Sequence, residues 1–294
     1  MEARHLRYAL ALAEHAHFGR AAAALGIAQP PLSRQIADLE RELGTPLFRR
    51  TGHGVFPTAA GEALLARARA VVAELEAIGG DVGRAARGES GELRLAFVGS
   101  ALADLLPTVL TRFGTERPRV RLRLQERSSA GCAVALADGA VDAIVTRGAP
   151  RGPGAERTRS VVVGHDRLVA LVPRGHPLAG AGPLRRDRLR GQTLITAPPD
   201  EEPATADTMP AFKAGRIVHA HDVHTIAGLV ACGVGLGLGP SCVRRVIRSD
   251  VLVRELDPPA ELPPLVLSHR DDDPPSPVLE AFLSVLWQLR VPPR

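Results

Sequence analysis

The stretch from Phe18 to Phe48, FGRAAAALGIAQPPLSRQIADLERELGTPLF, constrains this chain more than any other. Ala21, Ala22 and Leu25 give a short helix a small apolar face, and Gly26 supplies a left-handed stop at low conformational cost. Ile27 and Ala28 turn the chain. Gln29 stands at the N-cap position of a second helix, and Pro30-Pro31 fill a first turn whose amides have no intrahelical acceptor. Leu32, Ile36, Leu39 and Leu43 recur along one stripe, the core side of that helix, which leaves Gln29, Ser33 and Arg34 on the other side near its start. Two helices joined by so tight a turn either insert the tip of the second into the major groove of DNA or form an ordinary helical hairpin. The residue types suit the first use. Arginine pairs with guanine or grips phosphate, glutamine reads adenine, and serine contacts base edges or backbone.

The run from Leu6 through Phe48 also closely resembles the DNA-binding domain of the LysR-type transcriptional regulators. The motifs that carry the likeness are RAA in the first helix, I-x-Q-P-x-L-S-R-Q-I in the second, and L-E-x-E-L-G-x-x-L-F leading into a wing. The resemblance implies that Gln29, Pro30, Pro31, Ser33 and Arg34 face double-stranded DNA. Leu47 to Arg50 and Val55-Phe56 read as two short strands around Thr51-Gly52-His53-Gly54, the expected wing. Arg49, Arg50 and His53 either reach phosphates or an adjacent minor groove, or are solvated charge on a hairpin. Residues 1–58 thus read as a winged helix-turn-helix.

Thr58 then caps a helix running to about Arg87. Its Leu64, Ala68, Val71, Leu75, Ile78, Val82 and Ala85 alternate four and three apart, which is a heptad seam. Roughly 30 helical residues span about 45 Å, and a stripe so narrow on a helix so long packs either on another copy or on the chain's own domain. The resemblance implies the former: residues 59–89 would pair subunits into a homodimer or homotetramer. Two reading heads would then be set apart for an interrupted palindromic operator, with RNA polymerase as a further partner. Gly79, Gly80 and Gly83 weaken the helix and are candidate bend points.

From Gly91 onward the period changes. Segments 93–98, 120–124, 143–146 and 168–172 read as strands, with helices at 105–113 and 132–136, an alternation that implies parallel sheets covered on both faces. A second lobe starts near Val163, and near Leu265-Val266-Leu267 the chain returns to the first, ending in a helix over 278–289. The segments HDRLVALVPRGHPLA and VHTIAGLVACGVGLGLGPS resemble the regulatory half of the same family. The expected fold is therefore α/β: a winged helix-turn-helix, a long linker helix, and a two-lobed effector domain over 90–294 like that of a periplasmic binding protein. Lobe I takes about 90–162 and 268–294, and lobe II about 163–267.

Ser100 and Ser129 each sit between a strand and a helix, where free amides and a positive dipole favour anions. Ordinary N-capping explains either serine equally well. The resemblance places the effector cleft at Ser100, Ser129, Arg147, Pro198, Val223, His224 and Thr225, and the ligand expected there is a small organic acid. Gly237-Leu238-Gly239 stands where the family usually continues with strand residues, which leaves the cleft's size and shape open.

Other chemistry is thinly supported. His219, His221 and His224 form H-x-H-x-x-H beside Asp222, but His224 would need a turn to bring it round, so these read as polar cleft or surface residues rather than metal ligands. No cofactor is expected. Neither G-x-S-x-G nor a P-loop occurs, and no nucleophile-base pair stands out, so an enzyme is not expected. Cys132, Cys232 and Cys242 are far apart and odd in number, which reads as buried reduced thiols, with Cys232 and Cys242 the members of a redox pair if one exists.

At 294 residues, 45% apolar and 23% charged, the chain has the balance of a globular protein of two or three compact units rather than a disordered one. Its net charge of +5 suits a polyanionic partner, yet residues 1–58 hold seven arginines against five acids, so charge alone does not locate a DNA-binding segment. Glu14, His15 and His17 interrupt any apolar export signal, and no run approaches the roughly 20 apolar residues of a membrane span. A cytoplasmic location is expected.

Overall fold

A computed structural model describes residues 1–271 and 275–289. The chain divides into two compact units, Met1–Gly83 and Arg84–Arg294.

The first unit opens with α1 (Ala3–His15), α2 (Phe18–Ala24) and α3 (Gln29–Leu43). Ala9, Leu12, Phe18, Ala21, Leu32, Ile36 and Leu39 share one core, so the stripe read on the second helix is its buried face as far as Leu39, while Leu43, in the last turn, is exposed. Gly26, at φ +69°, ends α2, and Gly44, at φ +68°, ends α3. Ala28, not Gln29, is the N-cap of α3, and it offers the helix no side-chain hydrogen bond. The prolines move the boundary by one: with rings at the second and third helical positions, Gln29 takes the first. The wing follows as an antiparallel pair, β1 (Phe48–Thr51) and β2 (Gly54–Pro57). Its base is held by Glu40 of α3, whose carboxylate accepts from the amides of Leu47 at 2.7 Å and Phe48 at 3.0 Å.

The long helix α4 (Ala59–Ala86) starts at Thr58, whose Oγ1 accepts from Gly61 N at 3.1 Å. A side chain at Gly61 would meet the carbonyl oxygen of Leu47 at 2.0 Å, so only glycine lets the helix lie this close to the wing's entry. Leu65 and Ala68 are buried, whereas Val71, Leu75, Ile78 and Val82 are exposed. Leu65 therefore anchors α4 in the first unit's core, and Leu64, the first residue of the seam, is partly buried against it.

In the second unit, lobe I is built on a five-stranded sheet ordered β4-β3-β5-β13-β6. These strands are β3 (Ser90–Phe97), β4 (Arg119–Glu126), β5 (Ala143–Arg147), β6 (Thr158–Gly164) and β13 (Leu265–Arg270). One face carries α6 (Leu105–Glu116) and α10 (Pro277–Leu289), with Phe113 and Phe282 packed edge to face at 5.3 Å. The other carries α7 (Ser129–Ala137), with Cys132 and Leu136 against Ala96 and Ile144. A short helix, α5 (Gly99–Leu102), follows β3.

Lobe II has a six-stranded sheet ordered β10-β9-β11-β7-β12-β8. It is formed by β7 (Arg167–Pro173), β8 (Leu184–Arg185), β9 (Thr193–Thr196), β10 (Arg216–His219), β11 (Leu236–Pro240) and β12 (Val251–Glu261). Leu168, Ala170 and Val172 of β7 enter one core, and Val169 and Leu171 enter the other, beneath α9 (Val223–Ala231). That two-sided burial explains why the segment is continuously apolar. Gly237 permits the close seat of α9: a Cβ there would lie 2.8 Å from Ile226 and 3.0 Å from both Leu171 and Val230.

The expectation of parallel sheets requires correction. Both sheets are mixed, because β13 returns antiparallel between β5 and β6, and β7 runs antiparallel to β11 and β12. Direct crossings between the lobes, with no helix in between, deliver strands in opposite sense. They also shift the lobe limits, since β6 keeps lobe I as far as Gly164 and β13 restores it from Leu265. Among the described residues no helix is long and apolar enough to cross a membrane.

Candidate functional site

The tip of α3 stands clear of the first unit. Gln29, Pro30, Pro31 and Arg34 are exposed, and Ser33 is half-buried. Arg50 of β1 lies beside them: its Nη2 donates to Ser33 Oγ at 3.4 Å, and its guanidinium sits 4.6 Å over the Phe18 ring. His53 is exposed in the turn of the wing, where its amide donates to Thr51 Oγ1 at 3.3 Å. Wing and helix tip thus share a face that carries two arginines, Arg34 exposed and Arg50 turned onto Ser33 and Phe18, while Leu32, Ile36 and Leu39 of α3 are spent on the core. An exposed helix start with polar and cationic side chains is the kind of element that helix-turn-helix proteins present to a major groove.

The second unit encloses a cleft of about 580 Å³ between its lobes. Lobe I contributes Ser100 at the start of α5, Ser128 before α7, and Arg147 at the end of β5; lobe II contributes Thr196, Glu201, Glu202, Val223, His224 and Gly239. These positions follow strand ends and precede helices, where α/β sheets gather ligands.

Arg147 and Asp166 form its buried anchor. Arg147 Nη2 donates to Asp166 Oδ2 at 2.8 Å, and the two side chains are only 5% and 7% exposed. Asp166 also accepts from Ser241 N at 2.9 Å and Ser241 Oγ at 2.6 Å. Burial pushes the Asp166 carboxyl up, but the Ser241 hydrogen bond and the Arg147 charge outweigh it and hold the group below the usual carboxylate range. Arg147 Nη1 is buried with no hydrogen-bond partner among the described residues. Cys242, also on the cleft, donates through Sγ to Ser100 O at 3.6 Å, and burial together with the Asp166 charge pushes its thiol up to about 12.

Of the effector residues expected from sequence, the cleft brings together Ser100, Arg147, Val223 and His224. Ser129 is buried behind it, with N and Oγ both donating to Glu202, at 2.8 Å and 2.6 Å. Pro198 turns the chain, its carbonyl accepting from the amides of Glu201 and Glu202. Thr225 serves the cap of α9: its N and Oγ1 donate to Asp222, at 2.9 Å and 2.6 Å. Sequence reading missed Asp166, Glu201, Glu202 and Cys242. The acidic run before Pro203 was visible, but nothing in its spacing shows that it faces α7 across the cleft.

The histidine cluster is dispersed. His221 Nδ1 meets Glu201 at 2.8 Å, and this hydrogen bond, with the Glu201 charge, raises its pKa. Among the described residues no group of three or more His, Cys, Asp or Glu is disposed to hold a metal ion. Cys132 is buried, Cys242 half-buried and Cys232 exposed, so the expectation of three buried thiols fails at Cys232, which follows α9 at the surface.

Comparison with known proteins accounts for both halves. Residues 3–62 match the bacterial regulatory helix-turn-helix proteins of the lysR family, and residues 86–290 match the LysR substrate binding domain. A reading head followed by a two-lobed effector-binding domain defines a DNA-binding transcriptional regulator, not an enzyme. The chain belongs to the LysR family. It is 31% identical to the transcriptional regulator AlsR of Bacillus subtilis over 97% of this chain and 95% of that one. It is 35% identical to CatR of Pseudomonas putida over 98% and 99%. Among solved structures, CbnR, a LysR family transcriptional regulator, superposes with a TM-score of 0.81 at 26% identity, covering 97% of this chain and 100% of that one. Full-length CbnR complexed with its target DNA gives the same score.

Proposed function

We propose that this regulator reads an interrupted palindromic operator through two copies of the α3 tip. Gln29, Pro30, Pro31, Ser33 and Arg34 enter the major groove, and Arg50 and His53 meet the backbone beside it. The observation that carries the reading is the bare tip: a helix whose Leu32, Ile36 and Leu39 are buried while Gln29, Pro30, Pro31 and Arg34 at its start stand exposed. The solved complex of CbnR with its target DNA supports it. Pairing through the exposed stripe of α4 sets the spacing of the two heads. The protein acts in the cytoplasm.

The cleft takes a small organic acid as effector. Arg127 and Arg147 line it, and the unpartnered Arg147 Nη1 is a donor in want of an acceptor. Effector binding favours one lobe arrangement, and its differential affinity for the two states alters subunit geometry and DNA bending.

Footprinting of the intergenic DNA upstream of the gene, with and without a panel of acids, tests both halves. The wild type protects an interrupted palindrome and shifts its footprint with one acid, while Arg34→Ala loses protection at unchanged oligomer size. Full sequence-selective protection by Arg34→Ala overturns the operator reading. Unchanged affinity of Ser100→Ala for the active acid, by calorimetry, overturns the effector reading.

A further inference from the structure

The first turn of α7 is occupied by the opposite lobe. Ser129 N donates to Glu202 Oε1 at 2.8 Å and Ser129 Oγ to Glu202 Oε2 at 2.6 Å, so one carboxylate is gripped at both oxygens. The next amide, Ala130 N, donates to the backbone carbonyl of Glu201 at 3.0 Å, and the third, Gly131 N, to Ser128 Oγ at 3.1 Å. Every amide of this turn therefore has a protein acceptor, two of them from lobe II.

A helix start with a serine hydroxyl beside a free amide is a place for an anion. Here the anion is already present and covalently part of the chain. Glu202 is no surface residue that happens to fall nearby: its carboxyl is largely buried and burial raises its pKa, with the two Ser129 hydrogen bonds working against that rise. Burying a carboxylate is costly unless it is gripped, and the grip supplied is the one a carboxylate ligand would receive.

We infer that Glu202 is a tethered occupant of the carboxylate position at the start of α7, which closes the lobes there without a small molecule and bars a free acid from that position. Glu202 thereby sets effector specificity. An acid entering the cleft is recognised at Arg147 and Ser100 and finds the α7 position filled, so acids that need both positions are excluded. The occupancy itself is independent of the effector reading proposed above; only the consequence for specificity rests on it.

The test uses the full-length protein, its Glu202→Ala variant and acetate as the probe. Removing the carboxylate frees the Ser129 amide, whose hydrogen exchange is expected to accelerate roughly tenfold or more, the equivalent of one charge-assisted hydrogen bond. Acetate restores protection to Glu202→Ala in a saturable manner and raises its Tm, and leaves the wild type unchanged. Accelerated exchange that acetate does not reverse makes Glu202 a strut rather than a ligand surrogate and overturns the proposal, as does an equal acetate response in both proteins. If Glu202→Ala does not fold, Glu202→Gln keeps the shape without the charge, and unchanged exchange at Ser129 in that variant likewise overturns it. Acetate rescue together with unaltered acid binding by Ser100→Ala would sink the effector reading and spare this one.

Discussion

Arg147 and Asp166 lie 2.8 Å apart, both more than nine-tenths buried, where the chain passes from lobe I to lobe II. Arg147 ends β5, and Asp166 sits on the crossing between β6 and β7. Through Ser241, Asp166 also engages the residue that follows β11. One carboxylate therefore joins both lobes to the crossing strand, at the floor of the cleft.

Removing one partner of a buried pair strands the other charge. Arg147→Ala is expected to lower unfolding free energy by about 3–5 kcal/mol, read by urea denaturation with an unchanged m-value. The pH dependence has a definite sign. Because Asp166 is held below its unfolded value of about 3.9, its contribution is present above that pH and is lost as pH falls through the folded value. Asp166→Asn should flatten the acid limb of the stability curve, and an unaltered limb would show that the pair carries no linkage.

The stripe Val71, Leu75, Ile78 and Val82 predicts an association interface. Ile78 is 51% exposed and Val82 64%, so Ile78→Glu costs the isolated subunit little, and it is expected to dissociate the oligomer in sedimentation velocity while leaving the helical circular dichroism within a few per cent per subunit. Unchanged sedimentation would place the interface elsewhere.

His221, on the rim of the cleft, carries a pKa raised by Glu201. Its imidazole should titrate by NMR above the ordinary value of about 6.5, and Glu201→Gln should return it there. The ion pair's contribution is full below that ordinary value and is lost as pH rises through the folded one. A titration midpoint indifferent to Glu201→Gln would contradict the pairing.

Thiol labelling of the native protein should proceed at Cys232 well before the other two cysteines. Burial pushes both Cys132 and Cys242 to about 12, which leaves little thiolate at neutral pH. Mass spectrometry that finds Cys132 modified in the folded state would contradict its position on the buried face of α7, against the sheet.

What was legible in the sequence follows from locality. Leu32, Ile36 and Leu39, Gly26, and Thr58 before α4 each act within a turn or two of themselves, so periodicity and caps expose them directly. The strand β7 was legible for a related reason, since burial on both faces makes Leu168 to Val172 continuously apolar. Strands β6 and β12 were not: β6 alternates weakly and β12 carries Asp257, Pro258 and Pro259, so neither shows a clean two-residue period. The cleft was legible only in part, and only through resemblance. Ser129 and Glu202 are 73 residues apart, and Arg147 and Asp166 meet at a crossing whose geometry no local pattern encodes. Acid and partner can be seen on paper; their meeting is a property of topology.

Under the proposed operator reading, the two pyrrolidine rings of Pro30 and Pro31 bear on the kind of DNA the tip would prefer. A helix nose with imide nitrogens at its second and third residues presents few backbone protons to phosphate, so hydrocarbon leads the approach. Ring methylenes gain contact from the C5 methyl of thymine and nothing equivalent from cytosine, which carries hydrogen there. If this nose enters the groove as proposed, discrimination at the base steps beneath it becomes a matter of shape and dispersion, expected to persist at salt concentrations that weaken phosphate contacts by Arg34 and Arg50.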